Sequence, residues 1–259
     1  MKTFRTLAAA AAALLLLGAC THEMKTGSVS DERFVPLKEG SEIGLTADYN
    51  MEYISGGLPK DVMDRINGTL IRRDLLYDDD WTGTDMREAC KHWMEVSCDG
   101  YQADAGSLLE DMEVDLDDAG WMLNWSYSVS GRFAERCKAR GWQSYCCSST
   151  DYTGGAHGMF GETWRVFDLA TGEEVEQGDL LADDYDEEAL SDLLYEKVLE
   201  GLDEEESADG LFGTPEPNEN FSVSDEGVTW HYNLYEIAPY AFGVLEATLT
   251  WEELKPFLK

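Results

Sequence analysis

The stretch Trp121-Met122-Leu123-Asn124-Trp125-Ser126-Tyr127-Ser128-Val129 decides the fold class. Trp121, Leu123, Trp125, Tyr127 and Val129 take every second place, the period of a strand with one large aromatic face buried. The residues before it keep a different period. Val62, Met63, Ile66, Leu70 and Ile71 recur at steps of three and four and predict a helix from about Pro59 to Tyr77. Met86, Cys90, Trp93 and Met94 predict a second helix, and Ala105, Leu108, Leu109 and Met112 a third. Further upstream, Ile43, Leu45, Ala47, Tyr49, Met51 and Tyr53 alternate as a strand that Gly56-Gly57-Leu58-Pro59 stops. The order strand, helices, strand places helices on one face of a sheet.

The second half mixes the same elements in another order. Residues 142–149 and 160–169 read as strands on either side of the loop Asp151-Tyr152-Thr153-Gly154-Gly155-Ala156-His157-Gly158, whose three glycines allow positive φ and close backbone approach. A helix follows near 186–202, with Leu190, Leu193, Leu194, Val198 and Leu202 on its buried stripe. Residues 221–224 and 228–234 form a hairpin through Asp225-Glu226-Gly227, and 244–249 give a last strand. Thr250 and Glu253 then make a Ser/Thr-x-x-Glu capping box that opens a terminal helix. The expectation is an α+β fold of two small sub-domains, 41–150 and 151–259, each an antiparallel sheet packed by helices.

Of 259 residues, 53 are Asp or Glu and 19 Lys or Arg, a formal charge of −34, while 43% are hydrophobic and 11% aromatic. That is enough apolar material for a packed interior, so the chain is a folded acidic protein rather than an acidic tail. The field repels phosphate backbones, and no local basic patch offsets it, which excludes nucleic acid as a partner.

Lys2 and Arg5 precede 13 residues, Leu7 to Ala19, built of Ala, Leu and Gly alone. Such a run suits a signal h-region and is too short to span a bilayer. It ends Leu17-Gly18-Ala19-Cys20, which resembles a bacterial lipobox, so 1–19 is expected as a lipoprotein signal peptide and Cys20 as the lipidated residue. Loss of Lys2 and Arg5 takes the charge to −36. Residues 20–40 carry few apolar residues and no clear period, and read as a spacer. The expected location is the cell envelope, periplasmic or extracellular face, with the membrane reached through the lipid on Cys20. Five further cysteines, Cys90, Cys98, Cys137, Cys146 and Cys147, leave at least one unpaired thiol in a monomer, and their spacing fixes no connectivity. Cys146 and Cys147 alternate across a strand and face opposite sides.

Three ordered blocks in the second half carry a resemblance: Tyr152-Thr153-Gly154-Gly155-Ala156-His157-Gly158; Phe167-Asp168-Leu169-Ala170-Thr171-Gly172 leading to Gly178-Asp179-Leu180-Leu181; and Tyr235-Glu236-Ile237-Ala238-Pro239-Tyr240-Ala241-Phe242-Gly243. Together they resemble the extracytoplasmic domain of RsiV-type anti-sigma factors, a region also found ahead of the catalytic domain in PdaC-type peptidoglycan deacetylases. The helix carrying Arg65-Ile66-Asn67 and the aromatic strand near Tyr127 stand in the matching order. The resemblance implies a binding or sensing module of the envelope, since RsiV-type proteins use this region to bind lysozyme. Their cytoplasmic segment and membrane helix have no counterpart here, and neither does the deacetylase domain.

No Gly-x-Ser-x-Gly elbow, Walker loop or dinucleotide fingerprint occurs, and the histidines His22, His92, His157 and His231 stand far apart. Cys90, His92 and Cys98 lack a second close-spaced ligand pair. No catalytic residue, metal or cofactor is therefore expected. Trp93, Trp121, Trp125 and Trp164 fall on apolar stripes and are expected in the core. The stretch 173–206 holds 16 acidic residues against Lys197 alone, a solvated face that could also draw in a basic protein. The expected function is a lipid-anchored, non-catalytic envelope protein binding lysozyme, another basic protein or peptidoglycan; the alternatives are a peptidoglycan-acting enzyme or its accessory, and a structural lipoprotein. Tyr152, Gly154, Gly155 and His157 in one loop, with Tyr235, Glu236 and Tyr240 in another, are the candidate binding residues, because both loops combine glycine turns with aromatic and polar side chains.

Overall fold

The alternation that begins at Leu45 produces β2 (Gly44–Gly56), and the computed structural model, which describes residues 23–112, 116–202 and 208–259, sets it second in a five-stranded sheet. Its neighbours are β1 (Lys25–Pro36) and β3 (Trp125–Cys137), followed by β4 (Trp142–Tyr152) and β5 (Met159–Asp168). Between β2 and β3 the chain runs through α1 (Lys60–Leu70), a π-helical turn at Ile71–Leu75, α2 (Met86–Met112) and α3 (Leu116–Leu123). This helical crossover returns the chain to the end where β2 started, so β2 and β3 pair parallel, Leu45 beside Trp125 and Tyr49 beside Val129. The other three pairings are antiparallel. The sheet is thus mixed and not purely antiparallel as the sequence suggested, since hydrophobic period carries no information on strand direction.

Helices α1 and α2 cover one face of this sheet. Leu45, Ala47 and Met51 of β2 meet Ile66, Leu70 and Met94 in a core that water does not reach. At the rim of that core Asn67 fixes α1 to the strand: its Oδ1 accepts from the Ile54 N–H at 2.9 Å and its Nδ2 donates to the Ile54 carbonyl at 2.9 Å, both buried. Arg165 of β5 reaches the same layer and clamps the fully buried Asp74 of the π-helical turn with two hydrogen bonds from Nε, 2.7 and 2.8 Å.

A three-stranded antiparallel sheet, β6 (Phe221–Val223), β7 (Gly227–Tyr232) and β8 (Leu245–Thr250), forms the second layer system. After a single turn, α4 (Gln177–Leu180), helix α5 (Glu187–Gly201) packs Leu190, Leu194 and Val198 on Trp230, Ala247 and Leu249. The Thr250–Glu253 capping box is present in both directions and opens α6 (Trp251–Leu254). The small sheet is joined to the large one along the free edge of β5. There the side-chain amides of Asn220 and Asn233 replace a neighbouring strand: Asn220 Oδ1 accepts from Trp164 N at 2.7 Å, Asn233 Oδ1 from Glu162 N at 2.8 Å, and both Nδ2 groups donate to the Glu162 carbonyl. An edge sealed in this way cannot recruit a foreign strand.

Several expectations change. Residues 25–36, read as part of a spacer, are β1, paired with β2 along its length; as an edge strand it exposes most side chains, which gives it a linker's composition. The separate helices expected at 86–94 and 105–112 are one helix of 27 residues. Trp121 and Leu123 end α3 instead of opening a strand, and Trp121 is 64% exposed rather than in the core. The first sheet extends through β5 to Asp168, past residue 150. All five described cysteines are free, buried thiols, and Cys146 and Cys147 do point to opposite sides of β4. Cys20 lies outside the described residues.

Candidate functional site

The two loops singled out in the sequence touch. The 153–158 loop joins β4 to β5 and the 233–243 loop joins β7 to β8; Tyr240 Oη of the second donates to the Gly158 carbonyl of the first at 3.1 Å. The same carbonyl lies 2.9 Å from His157 Nδ1 and, being an acceptor only, assigns the ring proton to Nδ1. His157 leans on Tyr240 with ring centroids 4.2 Å apart, and Tyr240 on Tyr235 at 5.8 Å. The seven candidates therefore share one end of the molecule, but they divide into frame and surface.

Glu236 belongs to the frame. Its Oε2 accepts from Asn233 N and its Oε1 from Asn218 Nδ2, both at 2.8 Å, so each oxygen is already engaged. This clamp holds Tyr235 at φ +64°, a left-handed conformation that costs a non-glycine residue about 1 kcal/mol and aims its ring outward. Tyr152 Oη donates to the Gly155 carbonyl at 3.0 Å and closes its own loop. Gly154, at φ +91°, lies so close to α3 that a Cβ there would stand 2.6 Å from the Met122 carbonyl. Gly155, at φ +99°, faces open space.

What remains is an exposed face. Tyr235 is 49% exposed, and Trp121, whose carbonyl abuts Tyr152, stands beside the first loop. Phe212 donates its N–H to the Ile237 carbonyl and is 61% exposed next to the second loop, while Met159 and Phe160 emerge where β5 begins. Sequence reading missed these four: Trp121 and Phe212 carry no local pattern of exposure, and β5 shows its outward face only once its edge is known. Segments 151–163, 208–212 and 233–243 contain no Lys or Arg, but they contain Asp151, Glu162, Asp209 and Glu236. The face is aromatic, anionic and without a cation of its own. Among the described residues, no group of three or more His, Cys, Asp or Glu side chains is arranged to hold a metal ion, and no helix is long and apolar enough to cross a membrane.

Residues 178–252, which span the small sheet and most of its helices, match the family model described as "Protein of unknown function (DUF3298)". The match covers this unit and no more of the chain. Its loop 233–243 supplies half of the exposed face. A crystal structure of a DUF3298-family member from Bacteroides fragilis superposes with a TM-score of 0.79 at 23% identity, covering 92% of this chain and 95% of that one. A DUF3298-family protein from Pseudomonas aeruginosa PAO1 gives a TM-score of 0.61 at 19% identity, with 92% and 96% covered. At such identities the likeness concerns the fold, and its coverage extends beyond residues 178–252 to the five-stranded sheet. No curated protein matches the chain.

Proposed function

We propose that this protein is a lipid-anchored binding protein of the cell envelope that captures a basic protein, lysozyme foremost, on the face formed by Trp121, His157, Phe212, Tyr235 and Tyr240. The observation that carries the proposal is that face itself: exposed aromatic rings fixed by a hydrogen-bonded frame, rimmed by carboxylates and free of Lys and Arg. Rigid aromatics supply contact area at little entropic cost, and ring faces with nearby carboxylates attract guanidinium and ammonium groups. The formal charge of −34 draws such a partner in, over a range of about 8 Å at physiological salt. The resemblance of the two loops to RsiV-type extracytoplasmic domains supports lysozyme as the partner, and the leader ending at Cys20 supports the envelope as the place. No step of this function requires bond chemistry.

Calorimetric titration of a soluble Cys20→Ser form with lysozyme tests it. Binding is expected at low salt and weaker at physiological salt, with Trp121→Ala and Tyr235→Ala each raising Kd about tenfold or more. Absence of heat at both ionic strengths from a folded sample would remove the reading. Labelling with palmitate in cells, expected on the parent and lost in Cys20→Ala, tests the anchor separately.

A further inference from the structure

The small sheet has a second face. Phe221, Trp230 and Ala247 point into its core, so the alternate residues Ser222, His231 and Glu246 point the other way, toward the large sheet. They line one wall of a cleft of about 510 Å³; Arg132, Ala134 and Trp164 line the other. Within it Ser222 Oγ lies 2.9 Å from His231 Nε2, and His231 Nδ1 lies 3.0 Å from Glu246 Oε1. An ionised carboxylate only accepts, so Nδ1 carries the ring proton and Nε2 is left to accept from the serine hydroxyl. The imidazole is held flat against Trp164, ring centroids 4.3 Å apart and planes 8° from parallel. Arg132 stands 5.5 Å from the centre of the same indole and brings a cation to the cleft.

We propose that Ser222, His231 and Glu246 form a nucleophile, base and orienting carboxylate that hydrolyse small acyl esters in this cleft. Two of the geometric relations such a site requires are met, hydroxyl to base and base to carboxylate, and Ser222, His231 and Glu246 all line the cleft. In the first half-reaction Oγ attacks the ester carbonyl carbon while its proton passes to Nε2, and the oxyanion forms within the field of Arg132. The ester C–O bond then breaks as Nε2 returns that proton to the departing alkoxide, which leaves as an alcohol. Water, deprotonated by His231, attacks the acyl-serine and releases the carboxylic acid and the serine hydroxyl. Ser222 and His231 are recessed, only 3% and 2% exposed, so the acyl group must be as slim as acetyl. The hydroxyls of Ser224, Thr229 and Thr248 on the same wall suit a hydroxylated alcohol portion.

The full-length protein should therefore be incubated with a fluorophosphonate, a probe that phosphonylates activated serines, and mapped by mass spectrometry. The expected adduct is on Ser222, absent from Ser222→Ala and formed about 10³-fold or more slowly in Glu246→Gln, whose fold circular dichroism verifies. Hydrolysis of p-nitrophenyl acetate should show a burst of one equivalent, lost with Ser222→Ala. An unlabelled Ser222 under conditions that fully label a serine hydrolase, or ester turnover unchanged in Ser222→Ala, overturns the proposal. Lysozyme binding is read on other residues by another assay, so either idea can fail alone.

Discussion

Replacing Asn67 by Leu and by Ala separates hydrogen bonding from packing at the joint between α1 and β2. The side chain satisfies both the N–H and the carbonyl of Ile54, a residue with almost no exposed surface. Removing it leaves two buried backbone groups without partners, and each costs about 1–3 kcal/mol. Leu fills the space and keeps water out, so Asn67→Leu should lose about 2–6 kcal/mol. A cleft of about 380 Å³ lined by Tyr53, Ile54, Asn67 and Thr84 borders the site, so with Ala in place a water molecule can enter and bridge the two groups. Asn67→Ala should accordingly lose only about 1–3 kcal/mol. Urea titrations followed by tryptophan fluorescence and by circular dichroism measure both, and a thermal melt should drop by about 2–4 °C for each kcal/mol in a chain of this length. If Asn67→Leu stays within about 0.5 kcal/mol of the parent, the amide is not what holds α1. If Ala proves worse than Leu, the water argument fails.

Further outcomes follow from the same geometry. Gly131→Ala should destabilise by about 1–3 kcal/mol, because its Cβ would stand 2.0 Å from the hydroxyl of buried Tyr145, which donates to the Glu52 carbonyl; a urea titration checks this, and Tyr145→Phe should recover part of the loss. Burial pushes the Cys90 thiol up to about 12 and Cys146 to about 11, so in the Cys20→Ser form Ellman's reagent should react slowly with the folded chain and find the five remaining thiols in denaturant; rapid reaction of several in the native state would contradict it. The hydrogen bond from His231 holds the Glu246 carboxyl below its ordinary 4.5, so its stabilisation is in force above that value and is lost as pH falls through the lower folded value. Melts from about pH 6 to about pH 3 should therefore fall less steeply for Glu246→Gln than for the parent. Asn233→Ala opens the edge of β5 at Glu162 and frees the loop beside it, and calorimetry should show weaker lysozyme binding with the small sheet still folded.

Legibility in the sequence tracked how local each physical signal is. The hairpin of β6 and β7, α5 and the Thr250–Glu253 box lie within a few residues of the features that specify them, and each stands where its pattern placed it. The direction of β3 against β2 depends on 68 intervening residues, 57–124, whose path no period encodes. β1 was hidden for a thermodynamic reason: its ladder to β2 holds it, while its side chains remain mostly in water. Trp121 sits on an apolar stripe with Leu123, yet one residue is exposed and the other buried, because the stripe belongs to the last turn of a helix and not to a strand.

The two sites show the same division more sharply. Glycines and tyrosines marked the loops, and those residues do meet, but the pattern could not tell Glu236, consumed by the frame, from Tyr235, which the frame presents. Ser222, His231 and Glu246 carried no sequence signal at all, since they come from three strands and become neighbours only through register, His231 opposite Glu246 and Ser222 beside Thr229. That register is set by the apolar residues on the opposite face, Phe221 with Trp230 and Trp230 with Ala247. Both sites also hang from one strand. Glu162 is tied to the loop face through Asn233, and Trp164, two residues on, is tied to Asn220 and lies against His231. The amide-sealed edge of β5 is thus the element that fixes the aromatic face and the polar cleft relative to each other. A change there should reach both, whereas a change in either loop or in the cleft wall should stay where it is made.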